Sequence, residues 1–248
     1  MNFHKPPLRW RSHIFDENGI QSSTINEYGY FVASLLNLVI HQNTQGDLFC
    51  NASVENERQA YYSVITLNYD LVLENCFFHL KNFGAEDGLG FQKQNYDSIS
   101  KVYLAKLHGS VDTENIVPPT WNKGLNEGIK PAWNLAYKLL TEANQIRIVG
   151  YSLPIADAYI KYLLKAAIIE CDHLKNIDIL CRDWDGSVKK RYEEFIQFPK
   201  WKFISEDIAL YINKNYTNWV NRDSHIDTIN LNGVEDAHNH FFNERRFM

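Results

Sequence analysis

Short β-branched and apolar runs alternate with segments of helical periodicity between residues 60 and 215, and this alternation limits the possible folds more than any other feature. The predicted strands, each but the last followed by a predicted helix, lie at 63–67, 102–107, 146–149, 177–180 and 201–204. Strands and helices in this order favour a parallel sheet covered by helices on both faces. We therefore predict an α/β core over residues 60–220.

The segments on either side of this core have a different character. Apolar residues recur at helical spacing from Ile25 to Ile40, so we predict a helical N-terminal segment over residues 1–59. Residues 221–248 are polar and rich in turn residues, and we interpret them as a C-terminal tail. His238 and His240 in this tail look like a pair of metal ligands, but no cysteine or acidic residue has a convincing spacing, so we expect no metal.

Composition excludes several classes of protein. Hydrophobic residues make up 45% of the chain, which is enough for a packed core, and the net charge of −5 without a long basic run does not indicate nucleic-acid binding. No run of about 18 apolar residues is present, and the basic N-terminus lacks an apolar stretch, so we expect a cytoplasmic protein without a membrane span. The four cysteines form no C-x-x-C pair and are expected to be buried thiols: Cys50, Cys76, Cys171 and Cys181.

Three of the predicted strands end in polar, small or turn-forming residues. Asn68-Tyr69-Asp70 follow the first strand, His108-Gly109-Ser110 the second, and Gly150-Tyr151-Ser152 the third. The carboxyl ends of parallel strands meet at one edge of a sheet, and ligands of open α/β sheets bind outside that edge. We therefore expect the three groups to form one ligand site.

These segments resemble the Sir2 family, whose strands end in Thr-x-Asn-x-Asp, His-Gly and Gly-x-Ser-Leu. Here the motifs read Thr66-Leu67-Asn68-Tyr69-Asp70, Lys106-Leu107-His108-Gly109 and Val149-Gly150-Tyr151-Ser152-Leu153-Pro154, in the family's order, and the resemblance covers residues 60–205. With a following Asp157 and no cysteine module, the chain is similar to the Sir2-like domains of bacterial antiphage defence, which are NAD-consuming hydrolases. The resemblance implies a Rossmann-like sheet and cleavage of the nicotinamide–ribose bond of NAD by an effector of antiphage defence.

The same resemblance implies two catalytic residues. Asn68 would bind the nicotinamide ribose and place the attacking water, and His108 would act as general base at the ribose. These residue types suit the reaction, because an amide orients water without titrating and a histidine with a pKa of about 6.5 accepts a proton near neutral pH.

The resemblance further implies a set of binding residues and partners. Asp70 would hold the nicotinamide amide or support that pocket, and Gly109 would be a further binding residue. Gly150 and Ser152 would contact phosphate or the adenosine ribose, since glycine permits close backbone approach. The expected ligand is NAD, as substrate and without a metal. The expected protein partner is a second copy of the chain or another component of a defence system.

Structural interpretations of the same residues stay open. Asn68 and Asp70 are both of types that cap helices. His108 could be a hydrogen-bonded structural residue, Gly150 a turn glycine, and Ser152 a local hydrogen-bond partner of the backbone.

Three further features are interpreted as structural. We expect Ser187 to cap the helix that follows it through its hydroxyl. Lys189-Lys190-Arg191 is expected to be a solvated helix face, with phosphate contact as the alternative, and Trp121 an anchor in a surface loop.

The sequence departs from the Sir2 pattern in two places. Sir2 proteins carry a Gly-Ala-Gly-x-Ser segment after their first strand that cradles the dinucleotide phosphates, and nothing in residues 1–60 matches it. The family often has an asparagine for the adenosine ribose where this chain reads Cys181-Arg182-Asp183. The alternative function is therefore a catalytically inactive Rossmann-like module that binds nucleotide or serves as an assembly subunit.

Overall fold

The computed structural model describes residues 27–36, 38–42, 48–52, 61–81, 90–93, 96, 102–113, 115–117, 127–216, 220–223, 226–229 and 231–244. The Trp121 anchor lies outside these residues. Within the described ranges, no helix is long and apolar enough to cross a membrane.

Strands and helices alternate through the described chain. The strands are β1 (Leu38–Gln42), β2 (Leu48–Ala52), β3 (Val64–Thr66), β4 (Leu104–Lys106), β5 (Gly109–Ser110), β6 (Asn115–Ile116), β7 (Gln145–Val149), β8 (Asn176–Leu180), β9 (Trp201–Ile204), β10 (Val220–Asp223) and β11 (Ile226–Ile229). The helices are α1 (Glu27–Leu35), α2 (Val72–Lys81), α3 (Lys130–Thr141), α4 (Ala158–Glu170), α5 (Ser187–Phe195), α6 (Ile208–Tyr216) and α7 (Leu231–Glu244).

One group of parallel strands consists of β3 and β4. Ile65 lies opposite Ala105, and β4 is buried along its whole length. Because side chains alternate along a strand, Ala105 and Leu107 face the main core while Lys106 points to the other face. There its ammonium contacts Glu74 of α2, with 3.1 Å between Nζ and Oε1. Helices α2 and α3 therefore cover opposite faces of this group.

The second group consists of β7, β8 and β9, which pair in parallel in that order. Ile177 and Ile179 of β8 pack into the main core with residues of α4 and α5. Leu180 and Ile204 point to the other face and pack against α6 and α7. Parallel strands flanked by helices on both faces confirm the predicted α/β class.

No strand pairing joins the two groups within the described residues. The N–H of Val64 and the C=O of Thr66 bond towards β4, with N···O distances of 2.7 and 3.0 Å, so the backbone of Ile65 faces away from it. The same alternation applies to β7. Because the N–H of Gly150 donates to Leu180 O, the N–H and C=O groups of Val149 point away from β8. Each group thus has one edge that lacks a partner strand among the described residues.

Side chains nevertheless bring the amino end of β3 close to the middle of β7. The Arg147 guanidinium lies 5.8 Å from the centroid of the Tyr62 ring, and both side chains bind the carboxylate of Glu235 on α7. The main core also includes residues of both groups, among them Leu107 and Ile146. The two groups therefore belong to one packed structure.

The helix predicted over residues 25–40 is wrong beyond Leu35, where α1 ends. Strand β1 begins at Leu38 and pairs with β2 in antiparallel register, Leu38 opposite Ala52. The run Leu38-Val39-Ile40 contains two β-branched residues, which favour strands, and an uninterrupted apolar run does not distinguish a strand from a helix. The predicted boundary of this segment at residue 59 stays a prediction.

The interpretation of residues 221–248 as a polar tail is wrong for most of its length. This region forms the β10–β11 hairpin and helix α7, and Phe241 and Phe242 are buried against α6. The buried residues of α7 stand among asparagines and acidic residues, so the apolar face is too narrow to raise the average hydropathy of the segment.

Helix α7 is fixed by a buried polar cluster. His238, one of the two tail histidines considered above as metal ligands, belongs to this cluster. Tyr211 donates its hydroxyl hydrogen to Nδ1 of His238 (2.7 Å), and Nε2 of the same ring lies 3.1 Å from Oδ2 of Asp178 on β8. The three side chains are at most 3% exposed. Burial lowers the pKa of His238, and the nearby Asp178 carboxylate only partly opposes this, so the ring is neutral at pH 7.

The expected cap of α5 is also wrong. Gly186 is the N-cap residue and Ser187 the first residue of the helix, and no side-chain cap comes from either position. The carboxylate of Asp183 instead accepts the N–H groups of Val188 (3.1 Å) and Lys189 (2.9 Å). Asp183 thus satisfies two of the N–H groups that a helix start leaves without partners.

The expectation that the cysteines are buried thiols is confirmed for three of the four. Cys76, Cys171 and Cys181 are buried thiols outside any disulfide. Burial raises the pKa of the Cys181 thiol, which keeps it protonated.

Replacing His238 with Ala should lower the free energy of unfolding by about 3 kcal/mol, because the buried Asp178 carboxylate would lose its histidine partner. Denaturant unfolding measures the loss. The matched control is Asn239→Ala, an exposed position on the same helix, which should change stability by less than about 0.5 kcal/mol. Equal effects of the two substitutions would contradict a stabilising role of the cluster.

The pH dependence of unfolding provides a second test of the His238→Ala substitution. The pKa of His238 is lower in the folded state than the usual 6.5, so below about pH 6.5 the unfolded chain binds a proton that the folded chain does not. Stability should therefore decrease as the pH falls from 6.5 through the folded-state pKa, and His238→Ala should remove this part of the decrease.

Candidate active site

The segment after β3 holds Asn68 and Asp70 at the start of α2. The N–H of Asn68 donates to Oγ1 of Thr66 (3.1 Å), and Oδ1 of Asp70 accepts the N–H of Val72 (3.0 Å). Asp70 therefore caps the helix, as its structural interpretation predicted. Asn68 does not cap it, and its exposed side-chain amide makes no hydrogen bond to the residues that the structure describes.

The segment after β4 holds His108 in a tightly fixed turn. The indole N–H of Trp133 on α3 donates to the carbonyl of Leu107 (3.0 Å), and the carbonyl of His108 accepts the N–H of Val117 (3.0 Å). Gly109 has φ +81°, a left-handed conformation that favours glycine. The His108 side chain is buried, with 7% exposure.

Backbone hydrogen bonds join these two segments directly. The N–H of Leu107 donates to Thr66 O and the N–H of Val111 to Tyr69 O, both at 3.0 Å. Asn68 therefore lies in a loop that is bonded, before and after it, to the segment that carries His108. This placement at the carboxyl ends of two paired parallel strands is the one that the sequence predicted.

The segment after β7 forms a strained turn. Gly150 has φ +75°, and its N–H donates to Leu180 O (2.8 Å). Leu153 is fully buried with φ +51°, a conformation that a bulky residue adopts only when its surroundings enforce it. Side-chain donors from α5 hold the turn: the Tyr192 hydroxyl binds Tyr151 O (2.7 Å) and Arg191 Nε binds Ser152 O (3.1 Å).

A second contact within this turn involves Tyr151 itself. Its hydroxyl donates to Oδ2 of the buried Asp157 (3.0 Å). Burial and the Asp157 carboxylate raise the pKa of Tyr151, and burial raises that of Tyr192, so both phenols remain hydrogen-bond donors at neutral pH. No hydrogen bond joins this turn to Asn68 or His108 within the described chain, but Leu153 and Leu107 belong to one core.

Lys106 and Trp133 are positioning residues to which the sequence interpretation gave no role in the site, and Arg191 is one for which it gave only phosphate contact as an alternative. Lys106 fixes the Asn68 loop, because its ammonium binds both Asp70 O and the Glu74 carboxylate. A lysine inside a predicted buried strand is the signal that could have revealed it, since such a charge needs partners. Trp133 and Arg191 bind carbonyls of other elements, which leave no local pattern in the sequence.

The basic run of α5 is therefore only partly a solvated face. Lys189 and Lys190 are exposed, whereas Arg191 is half-buried at the Ser152 carbonyl. The Cys181-Arg182-Asp183 segment, where the sequence departs from the Sir2 pattern, has structural contacts. Asp183 caps α5, and Arg182 binds Asp207. The described residues contain no group of three or more histidine, cysteine or acidic side chains arranged to hold a metal ion.

These features define a Rossmann-like α/β domain with polar turns at the carboxyl ends of its parallel strands. The model of the SIR2-like domain family matches residues 62–195, more than half of the 248 residues, and the chain belongs to that family. The match begins before β3 and ends with α5, so it includes all three turns. No curated protein and no solved structure matches the chain.

Replacing Gly150 with Ala should destabilise the fold by more than the same change at Gly186. Both glycines have nearly the same left-handed φ, +75° and +78°, so each alanine would cost about 1–2 kcal/mol. A Cβ at Gly150 would also lie 2.5 Å from Cδ1 of Ile208, whereas nothing lies within 4 Å at Gly186. Thermal unfolding measures both effects.

Ile208→Val supplies the control, because valine lacks the Cδ1 atom that the new methyl group would meet. In that background the two glycine substitutions should cost nearly the same. A difference that persists would mean that the contact with Ile208 does not limit the turn.

Proposed function

We propose that this chain is an NAD hydrolase that cleaves the bond between nicotinamide and ribose. The observation that carries the proposal is the direct backbone bonding of the Asn68 loop to the His108 segment at the carboxyl edge of β3 and β4. An exposed amide beside a histidine at this edge suits a ligand that places one ribose between them. Membership of the SIR2-like family supports NAD as that ligand.

The proposed reaction is a displacement by water at the anomeric carbon of the nicotinamide ribose. The carbon–nitrogen bond breaks, its electron pair leaves with neutral nicotinamide, and positive charge develops on the sugar. Asn68 orients the water, whose oxygen bonds to that carbon, and His108 accepts the water proton. The products are nicotinamide, ADP-ribose and a proton.

Rigid support of both groups favours this chemistry. Trp133 and Val117 fix the backbone on either side of His108, and Lys106 fixes the loop that carries Asn68. Catalytic groups that are held before the substrate arrives do not need to be ordered in the transition state, and this lowers the barrier. Asp70 and Gly109, in the same two segments, would line the nicotinamide end.

The Gly150 turn is the proposed site for the phosphates or the adenosine ribose. Gly150 is exposed, so a ligand can reach its backbone from the solvent side, while Ile208 packs where a Cβ would lie. Ser152 is half-buried beside it, and the hydroxyl is the group that would bind the ligand. The hydrogen bonds from α5 keep this backbone in place.

We further propose that the activity serves antiphage defence. The resemblance of the Asn-Tyr-Asp and Gly-Tyr-Ser-Leu-Pro motifs to defence-associated Sir2-like domains supports this role. An effector of this kind would deplete NAD when a partner protein or an assembly step responds to phage.

A second function is favoured by the sequence departures. Residues 1–60 contain no Gly-Ala-Gly-x-Ser segment, and Asp183 is used to cap α5 rather than to hold a ribose. The alternative is an inactive module that binds nucleotide or supports an assembly. Calorimetry with NAD and ADP-ribose separates the two: binding without turnover favours a sensor, and the absence of both favours a structural subunit.

Asn68→Ala and His108→Ala should each reduce nicotinamide release from NAD by about 100-fold or more, since each removes a group that acts on the water. Because His108 is buried, His108→Asn provides a second variant that keeps a polar side chain in place. Chromatographic measurement of nicotinamide gives the rates, and circular dichroism verifies the fold.

The controls are an amide and an imidazole at the opposite, amino end of the strands. Asn144 precedes β7 and His173 precedes β8, and both are exposed. Asn144→Ala and His173→Ala should keep the full rate. Unchanged turnover in the Asn68 and His108 variants would exclude the proposed mechanism.

A further inference from the structure

Helix α4 is apolar on two opposite faces. Its inner face carries Ile160, Leu164 and Ala167, which are buried in the main core. On the opposite face Tyr162 is 71% and Ile169 74% exposed. A surface helix of a globular domain normally has charged residues there, and a helix that is apolar all round is normally buried.

The exposed residues follow a heptad spacing. Ile155, Tyr162 and Ile169 are seven residues apart, and Ile155, in the turn before α4, is 81% exposed. Tyr159 and Ala166 occupy the intermediate positions. Together these residues have the spacing of the a and d positions by which two helices pack side by side, and we call them the α4 seam.

We propose that the α4 seam is the interface between two copies of this chain, with the two α4 helices parallel around a twofold axis. The charges beside the seam support this occupant and this direction. Lys165 and Glu170 stand five residues apart on opposite flanks, at the g and e positions of the heptad, and both are exposed. In a parallel pair, Lys165 faces Glu170 of the partner subunit, and the twofold axis creates the contact twice.

An antiparallel pair would have the opposite electrostatics. A twofold axis perpendicular to the helices at Tyr162 would place Lys165 near Lys161 of the partner subunit, which is repulsive. The charge pattern therefore favours the parallel arrangement.

The surroundings of Lys165 extend this complementarity. A shallow depression of about 430 Å³ lies between α4 and α5, and its charged lining residues are Lys161, Lys165, Arg191 and Glu194. The excess of positive charge on this flank would adjoin Glu170 of the partner subunit. The α4 seam has five residues, whereas a standard interface has roughly 20–30 residues per partner, so we expect a reversible dimer whose population depends on concentration.

The test is the mass of the full chain in solution, measured by sedimentation over a range of concentrations. Ile169→Glu should raise the dimer dissociation constant by about tenfold or more, because it places a charge in the seam. The matched control is Phe78→Glu on α2, an equally exposed apolar residue (64%) outside the seam, which should leave the constant unchanged. Circular dichroism confirms that each variant is folded.

A wild-type chain that stays monomeric at all concentrations would overturn the proposal, and so would a dimer that Ile169→Glu does not weaken. The proposed dimer does not depend on NAD hydrolysis. Experiments can therefore disprove the dimer and confirm the hydrolase activity, or disprove the activity and confirm the dimer.

A charge exchange tests the parallel arrangement. Lys165→Glu and Glu170→Lys should each weaken the dimer several-fold, and the double variant should restore the wild-type constant, since each contact regains opposite charges. A double variant weaker than both single variants would exclude the contact between Lys165 and Glu170 of the partner subunit.

Discussion

The pairing of β3 with β4 continues past the ends of both strands, and the geometry of the candidate site depends on this continuation. Thr66 O still accepts the N–H of Leu107 where the ladder ends, and Tyr69 O accepts that of Val111 three residues further on. Two loops that would otherwise diverge are thereby kept together. The backbone segments that carry Asn68 and His108 therefore lie next to each other.

The supporting contacts come from elements far away in the sequence. Trp133 of α3 binds the carbonyl before His108, and two side chains of α5 bind carbonyls in the Gly150 turn. The crossover helices therefore do more than cover the sheet, since they also fix the backbone of the turns at its carboxyl edge. The strained Leu153 is kept in its conformation by the same packing.

The sequence predicts the strands and their polar ends well because both signals are local. The run Val64-Ile65-Thr66 and the capping carboxylate of Asp70 follow from residue type and position alone. The errors arise where a distant partner decides the outcome. The apolar run after Leu35 becomes a strand because β2 pairs with it, and α7 forms because the narrow apolar face that carries Phe241 meets α6.

The carboxylate of Asp178 is an example of a group whose burial depends on residues that are distant in the sequence. Asp178 is the one charged residue of β8, and on its own it would destabilise the strand by the cost of a buried charge. His238 and Tyr211 make its burial possible, and this couples the last helix to the middle of the sheet. A periodicity argument applied to either segment separately cannot detect the pair.

Among the described residues, β3 and β7 each have an edge without a partner strand, and such edges bear on aggregation. Strand edges that lack a partner can recruit the strands of other molecules and start fibrous aggregates. Here β3 has only three residues, and the edge of β7 carries Arg147 in its centre, anchored to Glu235. A short strand and a fixed charge both disfavour such recruitment, so the ion pair between Arg147 and Glu235 would also act against aggregation.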